Sequence, residues 1–589
     1  MQVFRLTKNL FTMTNKEIAD IFSRIADILE IKGEIIFKVR AYRTAASNIQ
    51  GLSRELSDIY DEDPGALGQI PGIGKDLKEK IIEMVTTGKL RAYNELLDEF
   101  SPGFIDMLNI SGLGPKKLKK LRDELGIEDL DGLEKACRAG SIEKIEGMGA
   151  RTQKKFIEAI EYYRKAEGRL LIPEASAYAD KIITYLKKSR DFKKIEPAGS
   201  LRRGKETIGD LDILATAKDA EKAMDHFIKY PDIRDIIGKG HTKTSVILKS
   251  GVQVDLRIVD DPCFGAALVY FTGSQAHNIK LRTIAKKYGF KVNEYGVSRP
   301  GRAPGKEKVI ASQTEKEVYK SLKMDWIPPE IREDQGEIEA AMAGKLPSLI
   351  TINHIRGDLH IHSSATDGRN TIEEMAEKAV LKGYEYIAIT DHSKLIRIAN
   401  GMDERKLLKH LENIRRIGKR FKGVKILAGV EVDILKDGKL DLEDHALKEL
   451  DIVVAAIHSN FSLDRKTQTE RVLRGMDNKY VNILAHPSGR LITKRSPMEL
   501  DFDKVFTGAR ERNVYMEINT HGKRIDLNDI NCRRASQLGA KFVINTDSHD
   551  TSQLDEIVYG VLAARRGWVS GDEVLNTLPY ERLIKALKR

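Results

Sequence analysis

Three regimes of hydrophobic patterning succeed one another along the chain. From a helix start at Met13-Thr14-Asn15-Lys16 to about residue 170 the pattern is helical, and residues 1–12 read as an N-terminal extension ahead of it. From about residue 171 strand-like runs broken by turns take over. Gln253-Val254-Asp255-Leu256-Arg257-Ile258-Val259 is one of them, and they continue to Trp326-Ile327-Pro328-Pro329-Glu330. A charged, Ala- and Gly-containing stretch through Leu346-Pro347 then reads as a connector over 334–353. Beyond it, seven apolar strand-like runs alternate with amphipathic helical stretches, the signature of parallel β/α units. The fold class is therefore multidomain, α+β and α/β. A chain of 589 residues exceeds one hydrophobic core and predicts about three or four domains. No apolar run approaches the roughly 18 residues of a membrane span, and no cleavable leader precedes the first helix.

Within the helical region a short segment recurs three times: Ile70-Pro71-Gly72-Ile73-Gly74-Lys75, Ile110-Ser111-Gly112-Leu113-Gly114-Pro115 and Ile145-Glu146-Gly147-Met148-Gly149-Ala150. Paired glycines permit a tight turn and close backbone approach, and the helix start that follows offers unpaired N–H groups to a phosphate. The segments resemble the helix-hairpin-helix motif, which grips nucleic-acid backbone without reading sequence. The second copy is followed by Lys116, Lys117, Lys119 and Lys120, whereas the third has no lysine at its loop. Domains are expected over 13–100 and 101–170, with Gly72, Gly74, Gly112 and Gly114 against DNA. Net charge adds little: the total is +11, yet residues 1–170 carry 28 basic and 28 acidic side chains.

The first dense chemical signal is Gly199-Ser200-Leu201-Arg202-Arg203-Gly204, then Gly209-Asp210-Leu211-Asp212. Residues i and i+2 of a strand share a face, so Asp210 and Asp212 point together, and Asp255 on a later alternating strand supplies a third carboxylate. Such a set can hold two divalent cations, Mg²⁺ or Mn²⁺, for in-line phosphoryl displacement. With Tyr270-Phe271-Thr272-Gly273-Ser274 and Asn293-Glu294-Tyr295, the region 14–330 resembles DNA polymerase beta and its family X relatives. The resemblance implies a nucleotidyltransferase palm over 171–260 and a nucleotide-selecting subdomain over 261–333. It also implies dNTP contacts from Ser200, Arg203, Gly209, Tyr270, Phe271, Gly273 and Asn278, and a DNA contact from Arg282. Tyr270 and Phe271 would form the sugar gate. Gln275 departs from the acidic residue of the animal members. Lys80 aligns with the Schiff-base lysine of the family's 5′-deoxyribose-phosphate lyase and Lys38 with a residue binding the 5′-phosphate. Asp76 replaces a further lysine, so Lys80 reads either as a lyase nucleophile or as a phosphate ligand.

Ten of the thirteen histidines fall in the last 236 residues. Most of the seven strand-like runs end in a metal-ligand type, as in Asp358-Leu359-His360-Ile361-His362, Thr390-Asp391-His392 and Thr546-Asp547-Ser548-His549. Polar groups at successive strand ends are how a β/α barrel builds a site at one rim. His360, His362, Asp367, His392, Glu431, His458, His486, Asp547 and His549 make nine candidate ligands. The region 354–589 resembles the PHP (polymerase and histidinol phosphatase) domain, a (β/α)7 barrel, with all nine of that family's metal positions filled. Three divalent metals are implied, from Mn²⁺, Zn²⁺ or Fe²⁺. In a polymerase this domain implies 3′–5′ exonuclease, 3′-end cleaning or abasic-site endonuclease activity. Cys137, Cys263 and Cys532 are too scattered for a disulfide framework or a thiolate zinc site. The expectation is a monomeric cytoplasmic enzyme that fills gapped or nicked double-stranded DNA in base excision repair and processes phosphodiesters with its barrel. Two rivals stay open: a phosphatase for a small metabolite, and a DNA-binding scaffold without catalysis.

Overall fold

The computed structural model describes residues 13, 15–50, 52, 55–101, 103–110, 112–166, 168–299 and 308–588; the extension expected over 1–12 lies outside them. Two compact units are present, one built on residues 1–167 and the other on the bulk of 168–589.

The first unit is helical throughout. Helix α1 (Asn15–Lys32) buries Ile18, Phe22, Ile25 and Leu29 at i, i+4, i+7 and i+11, one apolar face. These pack against Val39, Tyr42 and Ala46 of α2 (Ile36–Gln50), where Phe22 and Tyr42 meet edge to face at 5.4 Å. Ile28 and Ile31, on another face of α1, enter a second apolar cluster with Phe104, Leu118, Leu121 and Phe156. One helix thus serves two small cores, each built round its own hairpin loops.

The second unit holds three parts: a mixed sheet over the expected palm and a helical lobe over the expected nucleotide-selecting region, called palm and thumb below, and a barrel. The palm sheet comprises β1 (Phe192–Pro197), β2 (Asp210–Ala217), β3 (Ile233–Lys239), β4 (Lys243–Leu248) and β5 (Gln253–Ile258), in the order β1-β2-β5-β4-β3. Only the β2–β5 pair is parallel, and its register sets Asp212 opposite Asp255. In the thumb, α3 (Phe264–Thr272), α4 (Gln275–Lys287) and α5 (Glu315–Ser321) surround a core of Val269, Leu281, Val318 and Tyr319. The connector expected over 334–353 is packed rather than open. Glu337–Met342 is a helix, Ile338, Ala341 and Leu349 join the thumb core, and Glu337 is fully buried against His277. Its charged composition hid a short amphipathic turn whose one buried carboxylate has a partner.

The barrel has seven parallel strands, β6 (Gly357–Ile361), β7 (Tyr386–Ile389), β8 (Lys425–Asp433), β9 (Ile452–Ala456), β10 (Ile483–Leu484), β11 (Tyr515–Asn519) and β12 (Phe542–Asn545), neighbours in chain order. A parallel bridge from Ile361 to Ser548 brings the last strand beside the first. Nearly every strand residue is buried, which is why these runs read as continuously apolar rather than alternating. Among the described residues no helix is long and apolar enough to cross a membrane.

Candidate functional site

The palm carboxylates stand where strand alternation put them. Asp210 is exposed, Leu211 is buried beneath, and Asp212 and Asp255 face each other across the parallel pair. Burial, followed by the charges of Asp210 and Asp255, pushes Asp212 up to about 6. That mutual repulsion is what bound cations relieve, so the residues present fit a divalent metal. Asp255 is held below the usual carboxylate range. Burial raises it, but Lys243 at 2.6 Å and Gln253 at 3.0 Å outweigh that. Gly199 adopts φ +58°, and a Cβ there would stand 2.2 Å from Asp212 Oδ2, so only glycine lets the loop approach this close.

Around the carboxylates, Tyr270 and Phe271 meet edge to face at 5.1 Å, and the Arg257 guanidinium lies 4.4 Å from the Phe271 ring centre. Asn278 donates to the Tyr270 carbonyl at 2.7 Å, while Arg282 is exposed. Ser200 is half-buried in the short helix that opens at Gly199. Arg203, expected at the triphosphate, is 9% exposed, paired to Glu333 at 3.0 Å and bonded to the Thr272 carbonyl that precedes Gly273. Gly209 sits against Arg169, whose Nη1 would be 2.9 Å from an added Cβ.

The three glycine loops share one geometry. Ile73, Leu113 and Met148 each donate an N–H three residues back, at 3.0, 3.0 and 2.9 Å, and Gly72, Gly112 and Gly147 have φ of +77°, +82° and +80°. At Gly74, Gly114 and Gly149 an added Cβ would meet nothing within 4 Å, which leaves backbone-lined space at each helix start. The third copy, without a loop lysine, is thus equal to the others in backbone. Lys80 is ion-paired to Asp76, and Lys38 pairs with Glu34 at 3.5 Å. Burial would lower the Lys80 ammonium, but the hydrogen bond it donates to Asp76 and the proximity of Tyr42 raise it above the ordinary lysine value.

In the barrel the strand ends deliver the ligands to one rim. One ligand atom each from His362, Asp367, His392 and His549 lies within 4.8 Å of the others; so it is for His360, His362 and Asp547, and for His392, Glu431 and His458. His486 Nε2 meets Glu431 Oε1 at 2.9 Å. All nine expected ligands are thereby brought together, whereas the palm aspartates form no group this tight among the described residues. Spacing supports metal binding. His360 Nε2 lies 3.6 Å from both Glu431 Oε1 and Asp547 Oδ1, and His458 Nε2 lies 3.5 Å from Glu431 Oε1. Ligands about 2.1 Å from a shared ion sit roughly 3.4 Å apart. His360 Nε2, which faces Glu431 and Asp547, is buried with no hydrogen-bond partner among the described residues, a costly state unless an ion takes its lone pair. Burial would raise Glu431, yet His458, His392 and His360 hold it well below the carboxylate range.

A supporting shell had no motif to announce it. Glu517 is fully buried; its Oε1 meets His360 Nδ1 at 2.8 Å and its Oε2 accepts the His486 N–H at 2.8 Å, fixing two ligands with one carboxylate. Asp391 accepts from Ser363 N–H at 2.8 Å and Ser363 Oγ at 2.6 Å, and meets His410 Nε2 at 2.8 Å. Asp433 stands 3.3 Å from His458 Nδ1. At the rim, Arg524 Nε is 4.0 Å from Asp547 Oδ2. Glu517 lies within a barrel strand and Asp391 just past one, but nothing in the strand pattern links either to a particular ligand.

A barrel rim crowded with imidazoles and carboxylates, in one chain with a palm bearing paired aspartates and loops built for nucleic-acid backbone, defines a metal-binding, DNA-binding enzyme. Residues 13–90 match the family model of the helix-hairpin-helix domain and 104–161 that of the SAM-like helix-hairpin-helix tandem. Residues 267–333 match the DNA polymerase beta thumb and 358–521 the PHP domain. The DNA polymerase/3′-5′ exonuclease PolX of Bacillus subtilis (strain 168) is 38% identical over 579 residues, 98% of this chain and 100% of that protein. A probable phosphatase of Thermoanaerobacter sp. (strain X514) is 30% identical over 232 residues, 37% of this chain and 89% of its own. One of Acetivibrio thermocellus is 33% identical over 202 residues, 33% and 78% respectively. The chain belongs to the bacterial-type family X DNA polymerases, the PolX proteins with N-terminal helix-hairpin-helix regions and a C-terminal PHP domain.

Proposed function

We propose that the protein fills short gaps in duplex DNA during base excision repair and shortens or cleans 3′ ends with its barrel, as a cytoplasmic monomer. The observation that carries this is the coexistence, in one chain, of the Asp210–Asp212–Asp255 palm and a complete nine-ligand barrel. The full-length likeness to a protein named for both activities supports it.

In the palm, Asp210, Asp212 and Asp255 would hold Mg²⁺ or Mn²⁺, which when bound neutralises developing charge on the transferring phosphoryl group. Ser200 sits at the loop where the dNTP triphosphate would lie, and Tyr270 with Phe271 would face its sugar. Asp255, already ionised beside Lys243, is the carboxylate best suited to face the primer terminus. In the barrel the nine ligands would hold up to three divalent ions, which supply Lewis acidity for phosphodiester hydrolysis. His360 turns Nε2 inward because Nδ1 is engaged by Glu517, and Arg524 at the rim offers a cation to the scissile phosphate. Lys80, held protonated beside Asp76, is proposed as a 5′-phosphate ligand together with Lys38, with little lyase activity. The probable phosphatases match little more than a third of the chain, a length the barrel alone can account for, which leaves a small phosphomonoester as the second reading for that domain.

The test uses a gapped duplex with a 5′-labelled primer and Mn²⁺, with and without dNTPs. Asp212→Ala is expected to abolish elongation and keep shortening, and His362→Ala to do the reverse. A wild type that neither lengthens nor shortens the primer sinks the proposal. A wild type that cleaves p-nitrophenyl phosphate but no DNA favours the phosphatase reading.

A further inference from the structure

The loop running from Ser200 to Asp210 carries the triphosphate end of the proposed palm site, yet little of its own secondary structure holds it. Gly199–Arg202 is a single turn, Gly204 has φ +65°, and Lys205 N–H returns to the Ser200 carbonyl at 3.1 Å. The two-residue strand Thr207–Ile208 pairs, among the described residues, only with Leu170–Leu171. A loop this short takes its shape from what surrounds it, and much of what surrounds it comes from the barrel. Arg566, at the end of the helix Ile557–Arg566, donates Nη1 to the Arg203 carbonyl at 2.8 Å and to Glu333 at 3.1 Å. Arg490 forks onto Glu206, with Nη1 3.2 Å from Oε1 and Nη2 on Oε2. Leu201 packs against the barrel core, and Leu562 lies so close to Gly204 that an added Cβ would be 3.2 Å away.

Both arginines are aimed in advance. Arg490 is 6% exposed, and its Nε donates to the Arg524 carbonyl at 2.9 Å. Arg566 is fixed on its other side by Asp529 Oδ2 at 2.9 Å. A guanidinium buried in a fork geometry gives direction that a flexible surface ion pair does not. Glu206 stands four residues before Asp210, so a shift at the Glu206–Arg490 pair reaches the carboxylates through a very short tether. We propose that Arg490 and Arg566 of the barrel are positioning residues for the palm's nucleotide loop, so that the barrel is a structural part of the polymerase site. The inference rests on the reading of the palm as a nucleotidyl transferase.

Simple adhesion between the barrel and the palm would make the same contacts, and the two roles separate kinetically. In the full-length protein, Glu206→Gln, Arg490→Met and Arg566→Met are compared with Arg534→Met, a barrel surface arginine paired to Asp503. Single-nucleotide insertion into a gapped duplex is measured alongside thermal unfolding and DNA affinity. Positioning predicts a dNTP KM raised about tenfold in the three loop variants, because ångström misplacement of a bound group is costly. DNA affinity and the Arg534→Met variant stay at wild type. Arg490→Lys, which keeps the charge and loses the fork, is expected to fall between, and it stands in should Arg490→Met not fold. The Glu206→Gln/Arg490→Met double variant should be no worse than the worse single, since one pair is broken in each. Folded loop variants with wild-type dNTP KM, whose kcat merely tracks lost thermal stability, overturn the inference and leave the polymerase reading intact. A wild type that inserts no nucleotide overturns both.

Discussion

Asp76 shows how one residue can redirect a site. The amine of a Schiff-base lysine must be unprotonated, and Asp76 binds the Lys80 ammonium in the state that cannot react. Asp76→Ala should release it. Borohydride trapping of a 5′-incised abasic duplex is expected to be weak in the wild type and several-fold stronger in Asp76→Ala, with Lys80→Ala abolishing both. Equal trapping in wild type and Asp76→Ala refutes the assignment. Among single residues, those whose chemistry rides on local spacing were legible in the sequence. Asp210 and Asp212 sit two apart on a strand, and the barrel ligands recur at strand ends. Those that act by reaching across the fold were not: His410 meets Asp391 from 19 residues away and Glu517 meets His360 from 157. Arg203 shows the complementary case. Its motif points to a phosphate, and what no motif announces is that Glu333 and the Thr272 carbonyl, 130 and 69 residues distant, hold its guanidinium.

Elements meet through buried charge as well as through apolar faces. Glu315, at the start of α5, takes Arg202 from the palm at 2.8 Å and Arg332, fully buried, at 2.8 Å, with Trp326 Nε1 at 3.2 Å. Burial raises its carboxyl, but Arg202 and Arg332 prevail and bring it down to about 2. Because the folded value lies below the ordinary 4.5, the stabilisation is complete above about 4.5 and is lost as the pH falls towards 2. The difference corresponds to an order of 3 kcal/mol. Urea unfolding monitored at pH 7 and at pH 3 should therefore show wild type losing stability on acidification, while Glu315→Gln starts lower and loses less. Parallel pH profiles for the two would refute the role. At this scale the helical hairpins and the barrel strands were readable because their periods are uninterrupted. The helix Glu337–Met342 was not, since six residues of mixed charge carry too little period to distinguish it from a connector.

Across the whole molecule, the chain assembles its DNA-gripping loops from local sequence and its metal centre from distant sequence. Each glycine loop closes within four residues and needs only its own helices. The barrel cluster draws His360 from the first strand, His362 from just past its end, and Asp547 and His549 from just beyond the last, which neighbour one another only when Ser548 bridges to Ile361. During synthesis, then, the centre cannot form until almost the entire polypeptide has emerged, well after the hairpin loops and palm aspartates are available. A chain ending at residue 540 should retain gap binding yet take up fewer equivalents of Mn²⁺ than the complete protein, by metal analysis after desalting; equal uptake would contradict it. The proposed hydrolysis is in this sense scheduled last: a nascent or truncated copy could hold a gap before any copy acquires the means to shorten a primer.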